Sequence, residues 1–264
     1  MESSSATRDG FAKTKSHGRI HYREADQGNN RPVLMLMHTN GGSAHQYEII
    51  APLLAKHFRV ISWDMPGHGD SDRIQRHYSI EDHAKALAEL MTALKIKAAH
   101  ISGASVGGSV TLAFASLFPL RTLSAIPVET PFRNSDEWGG NWHHVEGNFG
   151  QPMQTVAQIK ERVAVVDAAL EQRWNIDRCK AGAWAMVDVM WGIREFNAVA
   201  AAKKIKKPML IVYGKKGPTI ALSHRLTAAA PKAKLTIMEN SGHFPMLDEP
   251  SAFAAQYLKF CGGK

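Results

Sequence analysis

The pentapeptide Gly103-Ala104-Ser105-Val106-Gly107 limits what this chain can fold into more than any other feature. It follows Ala98–Ser102, a short apolar run with the pattern of a buried strand, and leads into Val106–Phe118, a helical pattern that stops at Pro119. A serine between strand and helix, with glycine two residues away on each side, is G-x-S-x-G. The turn must be very tight and its backbone strained, so that the hydroxyl faces outward. Small neighbours are needed because the strand and helix then approach closely. The helix aims its unpaired N–H groups at the same place, where they stabilise negative charge. Ser105 is therefore the candidate nucleophile, and the Val106 N–H is a candidate donor to an oxyanion.

Around this turn the chain alternates. Strand-like segments fall at Arg19–Arg23, Val33–Met37, Arg59–Trp63, Ala98–Ser102, Leu123–Val128, Pro208–Tyr213 and Lys234–Met238. Several are nearly continuous apolar runs, as expected of strands covered on both faces. Helical patterns lie between and after them at Ile80–Leu94 (with Ser79 as N-cap), Val106–Phe118, Thr219–Ala230 and Pro250–Phe260. Strand and helix in repeated alternation predict an α/β fold, a mostly parallel sheet with helices on both faces. Residues 132–197 break the rhythm: no strand is evident, and five of the six tryptophans lie there (Trp138, Trp142, Trp174, Trp184 and Trp191). Such a length is too great for a simple connector. It reads as a helical cap inserted into a core domain of residues 1–131 and 198–264. Trp184, Met190 and Trp191 of this cap, and Gly41 of the core, are candidate substrate contacts, some tryptophans serving instead to glue the cap to the core.

Composition removes several other classes. With 264 residues, 44% of them hydrophobic and 21% charged, the chain suits one ordinary globular domain with an insertion. No apolar run is long enough for a membrane span. Residues 1–10 have no apolar core and read as a loose leader, not a secretory signal, so a cytoplasmic protein is expected. The net charge of +8 has its densest cluster at Lys203, Lys204, Lys206 and Lys207, expected in a solvated connector before a strand, and no basic stripe alternates with aromatics. Nucleic acid is not an expected partner. Cys179 and Cys261 give neither a disulfide framework nor metal spacing. His17, His21, His143 and His144 read as surface or pocket residues rather than zinc ligands. A small-molecule substrate without metal or organic cofactor is the expectation, and a homodimer is compatible with the sequence.

Taken together, four stretches carry a resemblance to the α/β-hydrolase superfamily over nearly the whole chain. His38-Thr39-Asn40-Gly41, with Tyr47, is similar to the family's His-Gly-x-Pro loop after the third strand. Trp63-Asp64-Met65-Pro66-Gly67-His68-Gly69-Asp70-Ser71 is similar to its Asp-x-Pro-Gly-x-Gly-x-Ser loop. The serine turn is the third, and Asn240-Ser241-Gly242-His243-Phe244-Pro245 the fourth. The order and spacing match. The resemblance implies that His243 is the base that takes the serine proton, histidine titrating near neutrality. It implies the Asn40 N–H as second oxyanion donor, with its side chain available as a further one. Thr39 and Gly41 replace the family's usual glycine and proline there. His38 and His68 are read as structural.

The third catalytic member departs from the common pattern. The family's usual acid follows the strand that here is Pro208–Tyr213, but this chain reads Gly214-Lys215-Lys216-Gly217. Glu129 emerges just beyond the preceding strand, at the carboxyl edge where the site lies. Certain haloalkane dehalogenases and the fungal zearalenone lactonases keep their acid there. The lactonases also share a glutamate closely followed by proline, an Asp-Met-Pro-Gly stretch like Asp64–Gly67, and a His-Phe-Pro turn. Ser105 argues against the dehalogenases, whose nucleophile is aspartate. The resemblance thus implies Ser105, His243 and Glu129 as a triad, with Asp64 and Asp248 as rival acids. An ester or lactone hydrolase for a bulky apolar or aromatic substrate is expected, a zearalenone-type macrolactone among the candidates. A carbon–carbon bond hydrolase and a non-catalytic receptor of the same fold stay open.

Overall fold

Buried strands with both faces covered should divide their side chains between two cores, and they do. In a computed structural model that describes residues 7–26 and 31–262, Leu34 and Leu36 of one strand enter one apolar cluster while Met35 and Met37 enter the other. Leu210 and Val212 likewise part from Ile211 and Tyr213. Each such side chain contributes roughly 1.5–3 kcal/mol on burial.

The strands are β1 (Arg8–Lys13), β2 (Arg19–Ala25), β3 (Val33–Met37), β4 (Arg59–Trp63), β5 (Ala99–Ala104), β6 (Thr122–Val128), β7 (Leu210–Gly214) and β8 (Lys234–Met238). Among the described residues they form one eight-stranded sheet in the order β1-β2-β4-β3-β5-β6-β7-β8. The β1–β2 and β2–β4 pairs are antiparallel, the rest parallel. The helices are α1 (Ala51–Leu54), α2 (Ile80–Ala93), α3 (Val106–Leu117), α4 (Ser135–Gly140), α5 (Trp142–Phe149), α6 (Val156–Lys160), α7 (Ala168–Glu195), α8 (Ala198–Lys204), α9 (Ser223–Ala229), α10 (Pro245–Asp248) and α11 (Pro250–Cys261). Ser79 caps α2, its Oγ accepting the Asp82 N–H at 3.1 Å, with Glu81 and Asp82 in the first turn.

Three expectations are corrected. Arg8–Gly10 are not leader but part of β1, an edge strand whose mostly exposed pattern gave little apolar signal; residues 1–6 lie outside the described residues. The Thr219–Ala230 helix is a 3₁₀ turn at Ile220–Leu222 followed by α9. Lys203 and Lys204 sit in the last turn of α8, where cations suit the helix dipole, rather than in a connector.

Residues 132–197 contain α4 to α7 and no strand. The long helix α7 breaks at Gly182, whose φ of 73° and ψ of 162° are non-helical. Among the described residues no helix is long and apolar enough to cross a membrane.

Candidate active site

The turn between β5 and α3 holds Ser105 at φ 54° and ψ −115°, in the left-handed half of backbone space that a side chain occupies only under constraint. The constraint is visible. The Ser105 N–H donates to the Val128 carbonyl of β6 at 2.9 Å, and its carbonyl accepts the Gly108 N–H at 2.9 Å. A Cβ at Gly103 would collide with the Gly107 carbonyl, and one at Gly107 would lie 2.5 Å from the Met37 carbonyl of β3. Glycine at both places lets α3 start against two strands. Val106 is the first residue of that helix, so its N–H has no helical acceptor.

Glu129, one residue past β6, also has positive φ, at 47°. Its N–H donates to the Val212 carbonyl of β7 at 2.9 Å, and its side chain is fully buried. Three donors converge on the carboxylate: the Gly214 N–H, the Thr219 hydroxyl, and Nδ1 of His243 at 3.0 Å from Oε2. With these three donors pointing at it, the carboxylate acts as the acceptor in each contact. Nδ1 of His243 therefore carries the proton, and Nε2 is left as the basic nitrogen. Beyond β7, a Cβ at Gly217 would lie 2.7 Å from Glu129 Oε2. The vacancy in the loop sequence is thus the space the Glu129 carboxylate needs. Burial, with the Glu129 charge added, pushes the Tyr213 phenol far above its ordinary value, and Tyr213 donates to the Thr130 carbonyl at 2.7 Å.

The rival acids are engaged elsewhere. Asp64 accepts from His21 Nδ1 at 2.8 Å and from the N–H groups of Ala44 and Asp70 at 2.6 and 2.8 Å. Burial opposes its ionisation, yet His21 and these donors hold its pKa below the ordinary value. His21 in turn is lowered by burial but raised further by Asp64 and Asp9, so it ends above its ordinary value. Of the surface-or-pocket expectation, His17 and His21 take the buried side, His17 lining a cavity, and His21, Asp64 and Asp70 bring ligand-type atoms within 4.8 Å of one another. Asp248 shapes the histidine turn, accepting the Gly242 N–H and the Ala164 N–H, each at 2.8 Å. The His243 N–H donates to the Arg162 carbonyl at 3.0 Å.

The loop after β3 is tied down on both sides. Thr39 donates its N–H and its hydroxyl to Gln46 Oε1, each at 2.9 Å. His38 donates from Nδ1 to the Thr39 carbonyl at 2.7 Å and accepts the Met65 N–H at 3.0 Å on Nε2, a structural bridge. His68 is fully buried, and burial with the neighbouring His38 holds it well below its ordinary pKa. The Asn40 side chain is not a spare oxyanion donor: its Nδ2 donates to the Met186 carbonyl of α7 at 2.8 Å, and its Oδ1 lies 3.3 Å from His68 Nε2. Its backbone N–H keeps the candidate role.

Ser105, His243, Thr39 and Asn40 line one cavity of about 340 Å³. Trp138, Val145, Phe149, Trp174, Met190 and Ile193 supply its apolar wall from residues 132–197. Met190 lies where expected. Trp184 does not: it is 63% exposed and outside this wall. Trp191 stands outside it too, packed at a tilt against Trp142 at 4.2 Å between ring centres and covered by Arg194. Gly41 lines an adjoining cavity of similar size that shares Thr39, Asn40, Trp174 and Phe244 with the first. Trp174 packs edge-on against Phe244 at 5.0 Å. The residues not foreseen are Trp138, Trp174, Phe244, Arg133, Arg162 and Thr219. The Trp-rich stretch pointed to the wall, but which tryptophans face inward depends on the angles between helices.

The model of the alpha/beta hydrolase fold family matches residues 32–165, and the chain belongs to that family. A 2-hydroxy-6-oxo-6-phenylhexa-2,4-dienoate hydrolase from Burkholderia cepacia is 27% identical, aligned over 94% of this chain and 93% of its own. Among solved structures, the enol-lactonase from Burkholderia xenovorans LB400 superposes with a TM-score of 0.82 at 22% identity, covering 96% of this chain and 100% of that one. A thermophilic esterase from Thermogutta terrifontis does so with a TM-score of 0.81 at 20% identity, covering 97% and 98%. These relatives are hydrolytic enzymes by name; the structural likenesses, at such identities, speak for the fold.

Proposed function

We propose that this chain is a serine hydrolase that cleaves a carboxylic ester or lactone with a bulky apolar or aromatic part. The observation that carries the reading is the His243–Glu129 hydrogen bond, which leaves a basic nitrogen in the cavity that also holds the strained Ser105. Ser105 Oγ attacks the carbonyl carbon while His243 Nε2 takes its proton. The carbonyl oxygen becomes an oxyanion, met by the Val106 and Asn40 N–H groups. The C–O bond to the leaving alkoxide breaks, and His243 returns the proton to it. Water then attacks the acyl-enzyme with His243 as base, releasing the acid and restoring Ser105. Glu129 holds the imidazole orientation and stabilises the imidazolium. Helices α4 to α7 act as a cap that shapes the substrate pocket.

The same groups would serve a carbon–carbon bond hydrolase, a second reading favoured by the Burkholderia cepacia relative. The test is covalent labelling by a serine-directed phosphonate, with the modified residue mapped. A panel of aryl esters, lactones including a zearalenone-type macrolactone, and a dienoate ketone accompanies it, with products analysed. Label at Ser105 with ester or lactone turnover supports the proposal. A chain that takes no label and turns nothing over is a binding protein. Turnover of the ketone alone replaces the first reading with the second.

A further inference from the structure

The wall of the Ser105 cavity holds two arginines that form no ion pair among the described residues. Arg162 and Arg133 both line it, both are half-buried, and among the described residues neither guanidinium forms an ion pair or donates a hydrogen bond. Arg162 lies with its Cζ 5.7 Å from the centre of the Phe149 ring, and Arg133 lies 5.1 Å from the centre of Trp138. A third guanidinium stands behind the same wall. Arg178 is buried, approaches Phe149 to 5.9 Å, and gives its Nη2 to the carbonyls of Asn148 and Gln151 at 2.6 and 2.7 Å. Its buried Nε has no partner. Burial, and then the charge of Arg162, lowers Arg178 to a pKa of about 10. Burial lowers Arg162 as well, the neighbouring Glu161 opposing it. Glu161 is exposed, is the only carboxylate in the cavity wall among the described residues, and forms no ion pair with either arginine. Of the other carboxylates nearby, Glu129 already has its three donors, Asp248 accepts the Gly242 and Ala164 N–H groups, and Glu137, close enough to feel the Arg133 charge, pairs with Arg225 at 2.6 Å.

Like charges gathered at a partly desolvated wall are costly unless an anion joins them. Arg162 is half-buried, lines the cavity and lies against the Phe149 ring. Its own carbonyl is bound by the His243 N–H, so the cation is carried by the turn that positions the base. A guanidinium is a fork that fits a carboxylate with two parallel hydrogen bonds. The remaining wall combines the apolar and aromatic groups with polar ones, Asn141, His144, Asn148 and Thr219 among them.

We infer that the substrate carries a carboxylate that pairs with Arg162, with Arg133 as a second cationic contact, and that the preferred substrate is an ester or lactone bearing both an anionic group and an aryl group. The inference rests on the serine-hydrolase reading for the reaction, but the anion site can be tested without any turnover.

The experiment uses the full chain with Ser105→Ala, reading the change in its tryptophan fluorescence, to which Trp138 and Trp174 in the cavity wall contribute. It titrates 4-phenylbutyrate against its neutral methyl ester and, separately, against inorganic phosphate. The carboxylate is expected to bind about ten- to a hundred-fold more tightly than the neutral ester, the range for a charge-assisted pair. In Arg162→Gln the ratio of the two affinities should fall toward one, and in Arg162→Lys it should fall between. Equal affinities in the Ser105→Ala protein, which need no second variant to interpret, overturn the inference. So does phosphate binding as tightly as the aryl carboxylate, because the site is then a general anion site. In the Ser105-containing protein, aryl half-esters of dicarboxylic acids should exceed their methyl-capped counterparts in kcat/KM by a similar ratio. Selective carboxylate binding without turnover of any ester would sink the ester chemistry and leave the anion site standing.

Discussion

The carboxyl edge of the sheet and the helical segment over it are built on different principles. At the edge, each important group is over-determined. Ser105 and Glu129 both sit at positive φ, each N–H bound to the neighbouring strand, and the Glu129 carboxylate has three donors. In residues 132–197 tilted aromatic pairs and cation–π contacts join side-chain hydrogen bonds such as those of Arg178 and Trp174, the long helix is broken at Gly182, and Trp184 is left in solvent. Strain can persist only where hydrogen bonds enforce it. On the serine-hydrolase proposal, the edge would supply the fixed geometry the chemistry needs, and the segment above it the pocket shape that selects the substrate.

Breaking the edge should be catastrophic for turnover and mild for folding. Ser105→Ala and His243→Ala are each expected to lower kcat by about a million-fold, as for a nucleophile or base in a known protease. The melting temperature should stay within a few degrees, and near-normal activity in a folded Ser105→Ala protein would sink the serine mechanism.

Glu129→Gln keeps the shape of the acid but not its charge, and should cost roughly ten-thousand-fold in kcat, as a comparable amide does in a serine protease. The two strand ends can then be set against each other. Gly217→Asp alone is expected to impair the enzyme, because its Cβ would lie 2.7 Å from Glu129 Oε2. Combined with Glu129→Gly, which tolerates the positive φ, it should regain about ten-fold or more over Glu129→Gly alone by returning a carboxylate to His243. A double variant no better than Glu129→Gly would show that the β7 end no longer reaches the histidine.

In the segment above, Trp174→Ala should change the ratio of kcat/KM between a bulky aryl ester and a small acetate by roughly ten-fold, the scale for reshaping an apolar pocket. Trp184→Ala, removing an exposed ring, should leave that ratio alone and alter stability by less than about 0.5 kcal/mol. A large ratio change for Trp184 and none for Trp174 would reverse the assignment of the wall.

Acid should act on the body of the molecule rather than on either region. His83 is fully buried, both ring nitrogens lack partners among the described residues, and burial followed by the charge of His38 lowers its pKa to about 3. Between pH 6.5 and that value the unfolded chain holds a proton at this ring and the folded chain does not, so stability falls as pH falls, by about 1.4 kcal/mol per pH unit for such a group. His83→Phe should flatten the loss of denaturant midpoint across pH 6.5 to 4. An unchanged slope would place the acid sensitivity in other groups.

Much of this was legible in one dimension because the constraints are local. The apolar run of β3, the mostly apolar β4 and the alternating β8 were each placed to the residue, and a capping serine placed the start of α2. Glycines around a serine between strand and helix marked a turn that almost no other sequence can make. The His243 turn could be read from its position after the last strand. The edge strand β1 was not legible, because an exposed strand carries its pairing in backbone hydrogen bonds and not in apolar side chains.

By itself, then, the sequence determined the α/β alternation, the serine turn and the empty acid position at Gly217, each a matter of residue type at short spacing. Only the tertiary structure decided that the Glu129 carboxylate fills the space Gly217 leaves and bonds His243, residues 114 apart. It alone decided that the Asn40 side chain is spent on Met186, that Trp138 and Trp174 rather than Trp184 and Trp191 face Ser105, and that unpaired arginines share that wall. These depend on how strand ends and helices cross in space, and a side chain's direction after a turn at positive φ or a break like Gly182 follows from the packing of distant residues, which no local pattern encodes.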